Sequence, residues 1–171
     1  IYNEGVEAFV GKKYPVALAR FEQLLSVTPN DTSVLFNAAL TAGKMDSSAK
    51  ALGYWKALLD NQYNKPGVYV ELARLTKLAG DTAAALQYLA QGRQAYPNDI
   101  GLVIDELNIY LSQGKQEMAI EKLSKAIELD PTNPNLYFAR GTAYDNLKKG
   151  SLSETDYLKA IEIKADYFDP Y

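Results

Sequence analysis

Residues 100–131 read IGLVIDELNIYLSQGKQEMAIEKLSKAIELDP and hold two helical patterns split by a glycine turn. Leu102, Val103, Ile104, Leu107 and Leu111 recur at spacings of three and four, the period of one helix face. Gly114-Lys115 interrupts that pattern. Met118, Ala119, Leu123, Ala126 and Ile127 then mark a second helix, which Asp130-Pro131 ends. No stretch of the chain alternates with period two, so the pattern predicts no strands.

Sliding the chain along itself until Ala119 falls on Ala85 lines this unit up with the rest of the molecule. Ala17, Ala51, Ala85 and Ala119 fall in one column, which Ser153 continues. Four residues on come Phe21, Trp55, Leu89, Leu123 and Tyr157, and three further on Leu24, Leu58, Gly92, Ala126 and Ala160. Gly5, Ala39, Ala73 and Gly141 make a second small-residue column, interrupted by Leu107. The small residues let two helices approach closely, and the larger residue at i+4 fills the neighbouring hole. One helix pair cannot bury its own apolar face, so the units stack. First helices are expected near 1–11, 32–45, 66–79, 100–113 and 134–148, and second helices near 15–27, 47–62, 82–95, 116–129 and 151–164. Asp46 and Asp81 read as N-caps of second helices. Asn30-Asp31-Thr32 matches a glycosylation sequon but reads as a turn with an N-cap. Pro66 and Pro134 sit in the first turn of first helices, where a missing N–H costs nothing.

The pattern resembles the tetratricopeptide repeat family. The fourth unit carries the resemblance best, through Tyr110, Gly114, Ala119, Ala126 and Pro131. Departures are Tyr63 and Ala165 where the closing Pro stands, Gly92 for a small Ala, and Leu107 for a small residue. These departures imply locally wider helix spacing. The resemblance implies an all-α, right-handed α-solenoid of antiparallel helix pairs. One repeat domain is expected over 1–171, with units near 1–31, 32–65, 66–99, 100–133 and 134–167. Residues 168–171 repeat the phase of a first helix and suggest a sixth unit. With no Met before Ile1-Tyr2, this reads as a fragment of a longer chain. Tyr167, Phe168 and Tyr171 are expected to cover the apolar end near Ala160 and Ile161.

Composition narrows the chemistry. The 171 residues contain no Cys and no His, which removes thiol nucleophiles, disulfides, imidazole bases and His-ligated metals. Lys and Arg number 18 against 21 Asp and Glu, a net charge of −3 that disfavours nucleic acid as a partner. No apolar run approaches the ~18 residues of a membrane helix, so no membrane insertion is expected. The compartment stays open between periplasm and cytoplasm. Asp105-Glu106 point to different helix faces, Glu154 and Asp156 likewise, and all four read as solvated carboxylates. No enzyme activity, cofactor or catalytic metal is expected.

The family resemblance implies that first helices line a concave groove for a partner segment. Its expected lining is Tyr2, Asn3, Val6, Phe9, Phe36, Asn37, Leu40, Val70, Glu71, Arg74, Ile104, Asp105, Asn108 and Phe138. Tyr2, Phe36, Val70, Ile104 and Phe138 form an apolar column surplus to the interhelix core. It reads as a contact surface or, in the alternative, as packing within the first-helix layer. An Asn amide offers donors and an acceptor to a peptide backbone, which marks Asn3 and Asn37. Some relatives clamp a chaperone's terminal carboxylate with Lys and Arg around such an Asn. Here Tyr2, Val6, Gly67 and Glu71 hold those places, so that ligand is rejected. The expected function is a scaffold or adaptor that binds a protein or peptide segment with apolar anchors. The alternative is an assembly module that forms homo-oligomers through end repeats or joins domains of a larger protein.

Overall fold

A computed structural model describes residues 1–166. Among these lie ten helices: α1 (Tyr2–Val10), α2 (Tyr14–Leu25), α3 (Thr32–Lys44), α4 (Ser48–Asp60), α5 (Pro66–Leu78), α6 (Thr82–Ala95), α7 (Ile100–Ser112), α8 (Gln116–Leu129), α9 (Pro134–Asn146) and α10 (Gly150–Asp166). All start and end within two residues of the expected bounds. The described residues include no strand and no helix long and apolar enough to cross a membrane. The expected sixth unit at 168–171, with the cover expected from Tyr167, Phe168 and Tyr171, lies outside the described residues. The fold divides into two compact units, Ile1–Tyr96 and Pro97–Tyr171. The first holds three antiparallel helix pairs and the second holds two.

Local chemistry sets the helix boundaries. Asp31 Oδ1 accepts from the backbone N–H groups of Ser33 and Val34, Asp99 from Leu102, and Asn133 from Asn135. These satisfy donors that a helix start leaves open. Asp81 caps α6 as expected, through Ala84 N–H at 2.9 Å. Asp46 does not cap α4: the N-cap is Ser47, and Asp46 sits in the turn with φ 54°. Every turn inside a helix pair has such a left-handed residue in the same column: Lys12 (58°), Asp46, Gly80 (87°), Gly114 (73°) and Lys148 (57°). Only glycine adopts this conformation without Cβ strain, which costs an L-residue about 1–2 kcal/mol. Lys12→Gly and Lys148→Gly should therefore each raise stability by about 0.5–1 kcal/mol, read as a higher urea midpoint at unchanged slope.

Packing follows the columns. Ala17, Ala51, Ala85 and Ala119 are 0% exposed, and Ser153 is 4% exposed. The second small-residue column faces the bulky one of the next helix, and size is traded across it. A Cβ on Gly5 would lie 2.7 Å from the Phe21 ring, and one on Gly141 2.8 Å from the Tyr157 ring. Leu107 faces Leu123 in one buried cluster with Ala119 and Leu136. Two leucines there fit the wider spacing expected of this pair, since α7 and α8 approach each other less closely than the helices of the other four pairs.

A second pair of columns carries charge. Glu4–Arg20 (3.1 Å), Glu106–Lys122 (3.0 Å) and Arg140–Asp156 (2.7 Å) occupy equivalent positions in the first, fourth and fifth units. Ala38 with Tyr54 and Leu72 with Tyr88 stand there in the other two. Glu106 and Asp156, expected on the solvated face, are buried. Their partners explain why: Lys122 neutralises Glu106, and Arg140 holds Asp156 through two parallel bonds while a third reaches Ser124. In the second unit of the repeat, the Tyr54 hydroxyl donates back to Glu22 on α2, which also accepts from Lys50. The Lys50 bond leads in holding Glu22 below the usual carboxylate range, and burial leads in pushing Tyr54 up.

Candidate functional site

In the compact unit Ile1–Tyr96, α1, α3 and α5 contribute the expected groove residues. The structure joins two of them directly. The Asn37 amide donates to Tyr2 Oη at 2.9 Å and to the Ser33 carbonyl at 2.9 Å. Both amide hydrogens are thus engaged within the protein, contrary to the expectation that Asn37 offers donors as well as an acceptor. Its Oδ1 receives no donor among the described residues and remains an acceptor of fixed direction. Tyr2 stays 38% exposed, its ring tilted against Phe21 at 6.2 Å. Asn3 is exposed beside it.

The apolar residues divide by environment. Val6 and Phe9 are half-buried against the cluster of Ala8, Leu18 and Phe21, and Phe9 meets the Tyr14 ring edge-on at 5.6 Å. Phe36 meets Trp55 edge-on at 5.4 Å and Tyr63 at 6.0 Å, so much of its surface serves the core. Leu40 packs against the same cluster, and Val70 is half-buried. Arg74 and Glu71 satisfy each other through two bonds to Glu71 Oε2, at 2.7 and 3.1 Å. Those two charges act as a pair on an open face, so a partner meets them together. Tyr63 on Phe36 and Tyr14 on Phe9 escape the sequence reading because they lie outside the first-helix columns.

In the unit Pro97–Tyr171, Ile104 packs against the Leu107 cluster, Asn108 is exposed and Phe138 is 61% exposed. Phe138 touches Tyr157 at 5.5 Å between ring centres. Asp105 is half-buried, and its pKa is raised, first by burial and then by Asp99. A raised carboxylate pKa means that the fold disfavours the ionised form. The group therefore lowers stability above its folded pKa, and the loss vanishes once pH falls far enough to protonate it. Asp105→Asn should raise the melting temperature at pH 7 and leave it unchanged near pH 3. Equal gains at both pH values would show that charge is not the cause.

Among the described residues no group of three or more His, Cys, Asp and Glu could hold a metal ion. One groove of about 1000 Å³ opens between α9 and α10, lined by Phe138, Tyr157, Ala160 and Ile161 and edged by Asp130 and Lys164.

Known proteins share this architecture. A family model described as TPR repeat matches residues 108–148, and one described as tetratricopeptide repeat matches 134–167. RNA polymerase II-associated protein 3 of Rattus norvegicus is 41% identical over 64 residues, 37% of this chain and 10% of that protein. A tetratricopeptide repeat and J domain-containing co-chaperone of Fusarium oxysporum f. sp. lycopersici is 32% identical over 96 residues, 53% of this chain and 18% of the relative. The chain thus matches only about a tenth to a fifth of these relatives' length. Among solved structures, a crystal structure of MamA superposes with TM-score 0.80 at 19% identity, covering 99% of this chain and 94% of that one. YrrB, described as a TPR protein with an unusual peptide-binding site, gives 0.71 at 16% identity, covering 96% and 85%. At these identities the two structures speak to the fold.

Proposed function

We propose that this chain, which carries tetratricopeptide repeats, is a non-enzymatic protein-interaction module whose five units act as one repeat domain. Its first helices take a partner's peptide or helical segment. The observation that carries this reading is Asn37, whose amide is pinned by Tyr2 and Ser33 while Oδ1 has no donor among the described residues. A preset acceptor suits a backbone N–H of any sequence and needs little reordering when the partner arrives. In the same compact unit, exposed Tyr2 and half-buried Val6 and Leu40 offer apolar contact, while the Glu71–Arg74 pair offers charge. A segment with apolar anchors and a charged or amide group toward that pair suits these side chains. The peptide-binding description of YrrB supports the same reading. The absence of Lys or Arg at the places of Tyr2 and Val6 keeps a carboxylate-clamp ligand out of it.

A peptide-display selection on the chain tests the proposal, with Asn37→Ala and Tyr2→Phe measured on the selected peptide. Tyr2→Phe frees the amide at the cost of one hydrogen bond, so affinity should fall about 3–5-fold, and Asn37→Ala about tenfold, the range of a single bond to two. Melting temperatures should stay put. Phe36→Ala should instead lower the melting temperature, because its ring packs on Trp55. Peptides that bind both Asn37 and Tyr2 variants as tightly as the parent would sink the assignment.

A further inference from the structure

Asp105 is an exception among the charged side chains of the fold. Every other carboxylate that is buried or half-buried among the described residues has a partner. Glu22, Glu71, Glu106 and Asp156 each meet a Lys or Arg, while Asp99 and Asp130 accept backbone N–H groups. Asp105 is half-buried, and no cation or donor bonds to it among the described residues. Since no buried side-chain oxygen there lacks a partner, its free oxygens open to solvent. The repeat shows what is missing. Glu71 stands in the same column one unit earlier and takes its cation from Arg74, three residues on. In the register of Arg74 the fourth unit carries Asn108, exposed and uncharged. The related places are small: Gly101, one turn before, has no side chain, and Ala139, the equivalent on α9, has only a methyl group.

We propose that Asp105 anchors a basic side chain of the bound segment, an arginine by preference, so that the partner supplies the cation that this repeat leaves out. The inference rests on the reading of the first helices as the binding face, and adds what a segment must carry where it meets α7. An unpaired carboxylate drawn partly out of water lowers the stability of the free chain, and a partner's cation recovers that loss on binding. A carboxylate takes a guanidinium through two parallel bonds, which an ammonium cannot match. The same unit already contains that arrangement: Arg140 holds Asp156 through Nε and Nη2 and directs Nη1 to Ser124. At Asp105 the amide oxygen of Asn108, one turn on, can take the further N–H. Half-buried Ile104 and Leu111 on the same helix suit the alkyl stem of an arginine.

Selection of a displayed library of random peptides on the intact chain tests this. The selected peptides should share a basic residue, most often arginine, at one aligned position. A synthetic copy of a selected peptide, with that arginine replaced by citrulline, keeps the shape and loses the charge. By calorimetry it should bind about tenfold more weakly, as expected for hydrogen bonds to a charged group. On Asp105→Asn the arginine and citrulline peptides should bind alike. Asn108→Arg, which rebuilds the Glu71–Arg74 pair from within, should also abolish the preference. Both variants should melt no lower than the parent, so a lost preference is not a lost fold. Glu121→Gln, at an exposed carboxylate on α8, should keep the preference intact. Asn37→Ala separates the two readings. A peptide that weakens on Asn37→Ala but shows no citrulline effect overturns this inference alone. One that ignores Asn37→Ala but loses its arginine preference on Asp105→Asn supports this inference and sinks the role of Asn37. Selected peptides without a shared basic residue overturn the proposal, as does a selection that yields no binder. So does a preference that survives Asp105→Asn, the mark of general attraction to the chain's net charge of −3.

Discussion

Asp156→Ala is expected to cost about 3–5 kcal/mol, the usual effect of stranding one member of a buried ion pair. Asp156 is 6% and Arg140 19% exposed at the side chain. The carboxylate accepts from Arg140 Nε at 2.7 Å and from Nη2 at 2.8 Å. With it gone, the guanidinium keeps one bond to Ser124 at 3.0 Å and the faces of Tyr137 and Tyr144, 5.9 and 6.0 Å away. None of these supplies a counter-charge. The repeat itself names the rescue. Its third unit carries Leu72 and Tyr88 at the same two columns and folds without an ion pair there. Arg140→Leu with Asp156→Tyr should therefore recover most of the loss, since well-packed replacements for buried pairs are often neutral or better. Urea unfolding followed by circular dichroism decides the matter. A loss under about 1 kcal/mol for Asp156→Ala would mean that the pair behaves like a surface one.

The helices are legible in the sequence because their signal is redundant. Each of the columns from Ala17 to Ser153 and from Phe21 to Tyr157 repeats the same steric demand in every unit, so single departures such as Leu107 do not hide it. The ion pairs are not legible residue by residue. Asp156 beside Glu154, and Glu106 beside Asp105, look like solvated carboxylates until their columns are read against those of the partner helix in the same pair. Only then do Lys122 and Arg140 emerge as partners. Asp46 shows a conflict between two local rules. Its position before a helix suggests a cap, yet its column also holds Gly80 and Gly114, the mark of a left-handed turn. In the groove, the columns place Tyr2 and Asn37 on one face but do not say that they bond to each other. That bond depends on the offset between neighbouring first helices, which side-chain packing sets and periodicity does not. Phe36 reads from its column as open surface, whereas Trp55 and Tyr63 give it a wall on two sides.

Gly141→Leu is expected to lose about 3 kcal/mol, the upper part of the range for overpacking. The first added carbon alone would lie 2.8 Å from both Cδ1 and Cε1 of Tyr157 and 3.3 Å from the Ser153 carbonyl oxygen. The ring can swing, but it already touches Phe138 and its hydroxyl lies 3.4 Å from Thr142 Oγ1. The backbone carbonyl cannot move without parting α9 from α10. The fourth unit shows the state that this substitution drives toward, with Leu107 opposite Leu123 and helices that approach each other less closely. Adding Tyr157→Leu recreates that pair and should restore about half of the loss, because the clash goes while the lost ring leaves some apolar surface unfilled. If Gly141→Leu is as stable as the parent, the two columns vary independently. If the single variant falls and the double recovers, the bulk permitted at one column is set by its partner on the following helix. The sequence then encodes helix spacing unit by unit, through the sum of two side chains rather than through either one.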